Sequence, residues 1–105
     1  MDDWINVAAA DEVPTNGCMV TDLNGTEIAI FNIGGEYFAI EDRCSHDGAE
    51  IASGRVDDHQ IVCPRHGARF CLRTGKALTP PAYEDLARFP VRVSDDGVIQ
   101  VLDDR

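Results

Sequence analysis

Thr26-Glu27-Ile28-Ala29-Ile30-Phe31-Asn32-Ile33, then Gly34-Gly35, then Glu36-Tyr37-Phe38-Ala39-Ile40-Glu41, is the stretch that decides the fold. Ile28 and Ile30 share one face of an extended chain, and Ala29 and Phe31 share the other, because side chains alternate along a strand. Gly34-Gly35 is a two-residue hairpin turn, since glycine reaches the positive φ values such turns require. The returning strand is Glu36 to Glu41. Both faces of this hairpin are apolar, so it is expected to lie between layers of the core.

Working outward, the same pattern repeats. Upstream, Trp4 to Ala8 and Cys18 to Asp22 are strand candidates, separated by a bend at Ala10–Pro14 and a turn at Asn16-Gly17. Asn24-Gly25 is a strong hairpin signal. Downstream, Asp57-Asp58 turns the chain into a strand over His59–Val62. Arg69–Arg73 is another strand, with Phe70 and Leu72 inward. Leu86–Val93 is a strand interrupted by Pro90, which places it at an edge because proline has no N–H to give a ladder. Asp95-Asp96-Gly97 turns into a closing strand at Val98–Leu102. The best helical candidate, Tyr83–Ala87, is one turn long. Short strands with a turn every eight to twelve residues predict an all-β protein, an antiparallel sandwich or small barrel.

At 105 residues the chain is expected to be one domain, residues 1–105. Nine Lys and Arg against nineteen Asp and Glu give a net charge of −10, which repels nucleic acid and anionic membrane. No apolar run approaches the roughly 18 residues of a membrane helix, and Met1-Asp2-Asp3-Trp4 is not a signal peptide. The expectation is a soluble, cytoplasmic protein whose four cysteines are reduced thiols or metal ligands before they are disulfides.

Two runs carry the chemistry: Arg43-Cys44-Ser45-His46-Asp47-Gly48 and Cys63-Pro64-Arg65-His66-Gly67. Each supplies one cysteine and one histidine. Thiolate and imidazole are the donors that soft-to-borderline metals select. A structural zinc site is one reading, making the protein a zinc-binding interaction module. Zinc fingers, however, usually pair cysteine with cysteine in one arm and histidine with histidine in the other. Mixed arms make sense if two metals sit side by side, one taking both cysteines and the other both histidines.

Cys44-x-His46 and Cys63-x-x-His66 resemble the ligand motif of the Rieske iron–sulfur proteins, where two histidines replace two cysteines on one iron of a [2Fe–2S] cluster. Cys63-Pro64-Arg65-His66-Gly67-Ala68-Arg69-Phe70 looks like the second ligand box of the Rieske ferredoxins, and Thr79-Pro80-Pro81-Ala82 looks like their proline loop. The resemblance implies one [2Fe–2S] cluster, with Cys44 and Cys63 on one iron and His46 and His66 on the other. It also implies a cluster-binding part at about residues 43–82, formed by two ligand loops and the proline loop.

Branches of the family differ around these boxes. The respiratory proteins carry an extra cysteine in each loop, joined as a disulfide. The matching positions here are Ala49 and Arg65. Where those proteins place a serine and a tyrosine that donate hydroxyls to the cluster, this chain has Ala68 and Phe70. Fewer donors stabilise the more negative reduced state less, so the potential is expected near the lower Rieske limit, about −150 mV.

The resemblance does not extend to an oxygenase. Those enzymes hold a mononuclear iron with two histidines and a carboxylate, and this chain has three histidines, two of them in the boxes. What the resemblance implies is a ferredoxin, not an enzyme. It would carry single electrons from a flavin-dependent NAD(P)H reductase to a terminal Rieske oxygenase of a ring-hydroxylating dioxygenase system. A ferredoxin of iron–sulfur assembly or of another monooxygenase is the alternative.

Cys18 and Cys71 remain as small hydrophobes, and His59 as a solvated or capping residue. Charge is uneven along the chain. Arg43 to Lys76 holds six basic and four acidic residues, net +2, while the remainder holds three basic and fifteen acidic, net −12. The molecule is expected to be a dipole whose less negative end surrounds the cluster, which makes encounters with redox partners ionic-strength dependent.

Overall fold

A computed structural model describes residues 4–42, 52, 54–63, 67–79 and 85–103. In chain order its strands are β1 (Trp4–Ala9), β2 (Cys18–Leu23), β3 (Thr26–Ile33), β4 (Glu36–Glu41), β5 (Arg55–Asp57), β6 (Gln60–Val62), β7 (Arg69–Cys71), β8 (Arg88–Phe89), β9 (Val91–Val93) and β10 (Val98–Leu102). A single turn of 3-10 helix, Ala10–Glu12, forms the bend after β1. Among the described residues there is no α-helix.

The strands form three antiparallel sheets, ordered β1-β10-β9, β2-β3-β4-β8 and β5-β6-β7. The middle sheet is covered on both faces, as the two-sided apolar pattern of β3 and β4 requires. Ile28, Ile30 and Ala39 join Phe89, Ile99 and Val101 in a core against the first sheet. Ala29, Phe31 and Ile40 join Ile61, Phe70 and Leu72 in a second core against the third sheet. The register explains the sorting. Ile30 stands opposite Ala39, and Phe31 opposite Phe38, so like faces meet across the hairpin.

Asn24 and Gly25 both have positive φ, +50° and +91°, as the two-residue turn between β2 and β3 demands. Pro90 does more than mark an edge. It divides the predicted Leu86–Val93 strand into β8, which pairs with β4, and β9, which pairs with β10, so the chain changes sheet there. The turn after β5 sits one residue later than the Asp57-Asp58 reading, at Asp58-His59, because Asp58 takes the left-handed conformation with φ +57°. β7 ends at Cys71 and not Arg73, because the chain turns to close a Gly75 N–H to Cys71 carbonyl bond of 2.7 Å. Of the one-turn helix expected at Tyr83–Ala87, residues 85–87 are irregular and the rest lies outside the described residues.

Gly75 is a point where only glycine fits. Its φ is +79°, and a Cβ there would overlap the carbonyl oxygen of Leu86. Its own carbonyl accepts the Leu86 N–H at 2.7 Å, so the return of the chain toward β8 is fastened to this turn. Gly75→Ala is expected to destabilise the protein by about 2 kcal/mol or more, from backbone strain and displacement of Leu86, which is 4% exposed. A urea midpoint unchanged from the parent would contradict this.

Candidate metal centre

The first ligand run follows β4 in the sequence. Asp42 follows β4 directly, and its N–H donates to the Glu27 carbonyl at 2.9 Å. Its side chain is buried, and Oδ1 accepts the Ala52 N–H at 2.8 Å. The Ala52 carbonyl in turn accepts the Cys18 thiol at 3.2 Å. Both ends of the loop carrying Cys44 and His46 are therefore pinned to the middle sheet.

The second run begins where β6 ends. Cys63 is 1% exposed and packs with Ile61, Ala68 and Phe70. Its N–H donates to the Ala68 carbonyl at 2.7 Å, and its carbonyl accepts the Gly67 N–H at 3.0 Å. Gly67 has φ +75°, the left-handed conformation that lets so tight a loop close. The loop between is thus a hairpin connection from β6 to β7.

The approach to the proline loop is fastened to β7. Leu78 N–H donates to the Arg69 carbonyl at 2.8 Å, and Thr79 Oγ1 accepts the Arg69 N–H at 3.0 Å. Thr79 is described; Pro80, Pro81 and Ala82 lie outside the described residues.

Of the four residues predicted from sequence as ligands, Cys63 is described, while Cys44, His46 and His66 lie outside the described residues, as do Ala49 and Arg65. Among the described residues, no three His, Cys, Asp or Glu side chains gather to hold a metal. What the structure brings together is the bases of the two loops. Ala52, at the end of the first, packs on the core that contains Cys63 and Ala68 from the second.

The donor chemistry fits an iron–sulfur cluster. Cys63 forms no disulfide among the described residues and is buried against apolar side chains rather than exposed for oxidation. Ala68 and Phe70 are both fully buried at positions where hydroxyl-bearing side chains would have offered donors. Neither side chain bears a hydroxyl.

Three residues behave more specifically than their sequence readings. Cys18 is a hydrogen-bond donor to the loop base as well as a small apolar residue. His59 is wedged rather than solvated. Its Nδ1 lies 2.9 Å from Asp58 Oδ1, Arg73 Nη2 lies 3.2 Å from Nε2, and the ring stands edge-on to Phe38 at 5.8 Å. Cys71 faces outward between these elements. Burial pushes its thiol pKa up, but the Thr74 hydroxyl, the Arg73 and Thr74 N–H groups and the Arg73 charge together bring it below the ordinary value. Asp42 escaped sequence reading altogether. Its one signal was position, an acid immediately before a ligand run.

The outer face of the third sheet carries Arg55, Asp57, Gln60 and Arg69. Arg69 Nη1 donates to Asp57 Oδ2 at 2.9 Å and to Gln60 Oε1 at 3.2 Å. The Arg69 hydrogen bond, then its charge, holds the Asp57 carboxyl below the usual range. Asp57 Oδ2 also lies 3.8 Å from Arg55 Nη1, so two guanidinium groups share it, while the Arg55 side chain stays 66% exposed.

A small antiparallel β protein with a ligand-loop sheet stacked on one face is the architecture these residues build. The family model of the Rieske [2Fe-2S] domain matches residues 3–90. The chain is 44% identical over 93 residues to the 3-phenylpropionate/cinnamic acid dioxygenase ferredoxin subunit of Photorhabdus laumondii, covering 88% of each. Its structure is similar to the ferredoxin of carbazole 1,9a-dioxygenase from Nocardioides aromaticivorans, with TM-score 0.88, 28% identity and 93% and 95% of the two chains covered. It is also similar to a chain in a complex of reduced oxygenase and oxidized ferredoxin of carbazole 1,9a-dioxygenase, with TM-score 0.86, 30% identity and 93% and 91% covered.

The chain belongs to the Rieske [2Fe–2S] domain family. Within it, the chain is of the ferredoxin kind, an electron-transfer component of dioxygenase systems and not a catalytic oxygenase. Its cofactor is a single Rieske-type [2Fe–2S] cluster, which sets aside the zinc reading.

Proposed function

We propose that the cluster is held by Cys44 and Cys63 on one iron and by His46 and His66 on the other. It passes one electron at a time from a flavin-dependent NAD(P)H ferredoxin reductase to a terminal Rieske oxygenase. The observation that carries this reading is the convergence of the two loop bases on one buried core containing Cys63. When bound, the cluster supplies a one-electron redox couple, and two neutral imidazoles in place of thiolates raise its potential relative to an all-cysteine cluster. The chain's own residues supply the rest. Gly67 and Asp42 close the loops, and the apolar core beneath Cys63 excludes water from that side.

The whole of residues 1–105 is read as one domain, with its cluster-binding part at about 43–82. The cytoplasm is the compartment proposed. Among the described residues Cys18, Cys63 and Cys71 form no disulfide, and no helix is long and apolar enough to cross a membrane. The acceptor proposed is an oxygenase of aromatic substrates, with one acting on arylpropionates or cinnamates the first to test, by analogy with the Photorhabdus relative.

Charge supports directed encounters. The described part of residues 54–79 holds four basic and two acidic residues, whereas residues 4–42 and 85–103 hold two basic and eleven acidic ones. Opposite charge on a partner steers association and weakens with salt. The experiment is stopped-flow transfer from the reduced protein to a 3-phenylpropionate dioxygenase oxygenase component at low and high salt. One electron per chain is expected to pass, with a rate that falls as salt rises. Arg55→Glu, at a side chain 66% exposed, is expected to slow the low-salt rate about threefold to tenfold and to flatten its salt dependence. No transfer to any aromatic-ring oxygenase would overturn the assignment of the acceptor. An unchanged Arg55→Glu rate at low salt would overturn the steering.

A further inference from the structure

We infer that Asp42 is a positioning residue for the cluster and that its carboxylate holds down the cluster's electron affinity. The inference rests on the proposed ligand set. Asp42 is fixed at both ends of its own geometry. Its N–H is tied to the Glu27 carbonyl at 2.9 Å, and its Oδ1 accepts the Ala52 N–H at 2.8 Å. Ala52 is held a second time, by the Cys18 thiol on its carbonyl at 3.2 Å. The segment bearing Cys44 and His46 thus departs from and returns to one clasp, 10 residues apart in sequence.

Position makes the clasp matter to the electron. Asp42 precedes Cys44 by two residues, so the two Cα atoms are at most about 7 Å apart whatever path the chain takes. Asp42 is 8% exposed, so solvent screens its charge less than it would on the surface. Reduction adds a negative charge to the cluster. A buried carboxylate nearby disfavours that added charge and lowers the potential. This acts in the same direction as the missing hydroxyls at Ala68 and Phe70, through a different cause.

Three variants separate the two roles, read by redox titration at pH 7 and by loss of visible absorbance in the presence of an iron chelator. Asp42→Asn keeps an oxygen to accept the Ala52 N–H and removes the charge. It is expected to retain the cluster as the parent does and to shift the reduction equilibrium about tenfold toward the reduced form, ~59 mV for one electron. Asp42→Ala removes the acceptor as well, and is expected to lose the cluster at least about tenfold faster. Cys18→Ala loosens the same clasp with the charge intact, and is expected to lose the cluster faster at an unchanged potential. An unshifted potential in Asp42→Asn overturns the electrostatic role. Parent-like cluster retention in both Asp42→Ala and Cys18→Ala overturns the positioning role. If the parent itself bound no reducible cluster, the ligand assignment would fail instead, a distinct outcome visible before any variant is made.

Discussion

Cys63→Ala is expected to give a folded protein that purifies without a visible chromophore. The proposed ligand set loses one of two thiolates, and a two-iron cluster lacking an anchor on one iron is not retained. The fold tolerates the change for local reasons. Cys63 holds its place through backbone bonds, to Ala68 at 2.7 Å and from Gly67 at 3.0 Å, and neither involves the side chain. Replacing a small buried thiol by a methyl costs about 1 kcal/mol of burial. The core between the first two sheets, built on Ile28, Ile30, Ile99 and Val101, does not include Cys63. Far-UV circular dichroism should therefore keep the β signature while the absorbance between 400 and 600 nm, about the usual iron–sulfur range, disappears. A variant that keeps a reducible chromophore at parental stoichiometry would remove Cys63 from the ligand set.

Phe31→Ala is expected to be the most damaging single change in the apolar core. Phe31 is fully buried in β3, opposite Cys18 on β2 and Phe38 on β4. Its ring faces the core shared with Ile61, Phe70 and Leu72 of the ligand-loop sheet. Truncating a buried phenylalanine costs about 3–5 kcal/mol, against a total stability of about 5–15 for a domain of this size. At about 4–8 °C per kcal/mol, the melting temperature should fall by about 15 °C or more. Both loop bases rest on this core, so cluster loss should accelerate along with unfolding. A destabilisation under about 1 kcal/mol in urea would mean that the two sheets do not share a packed core.

The hairpin from Thr26 to Glu41 was legible because both of its faces are apolar, a pattern that fits a strand covered on two sides. Asn24-Gly25 and Asp95-Asp96-Gly97 were legible because turn chemistry is local. Which sheet each strand joins was not. Pro90 announced an interruption, but only pairing shows that β8 belongs with β4 and β9 with β10. The third sheet was the least visible part, since β5, β6 and β7 are each three residues long and too short for a period to show.

The same division runs through the site. The Cys and His spacing could be read because spacing is a property of the chain, and of the four residues Cys63 alone lies among those described. Asp42 was not, because its role is a hydrogen bond to Ala52 that exists only once the loop has closed on β4. Cys18 lies 34 residues from the carbonyl it donates to, so nothing local distinguishes it from an ordinary buried thiol. His59, at a turn beside two aspartates, had the look of a surface residue. Its contacts, with Phe38 on β4 and with Arg73 in the turn beyond β7, come from segments that sequence could not place together.

The central claim is a two-iron cluster bound by two cysteines and two histidines. Electron paramagnetic resonance of the dithionite-reduced protein tests it most directly. The account predicts one unpaired spin per chain, with an average g-value below that of an all-thiolate [2Fe–2S] cluster. A silent spectrum from a colourless protein, or an average g-value typical of four thiolate ligands, would contradict it.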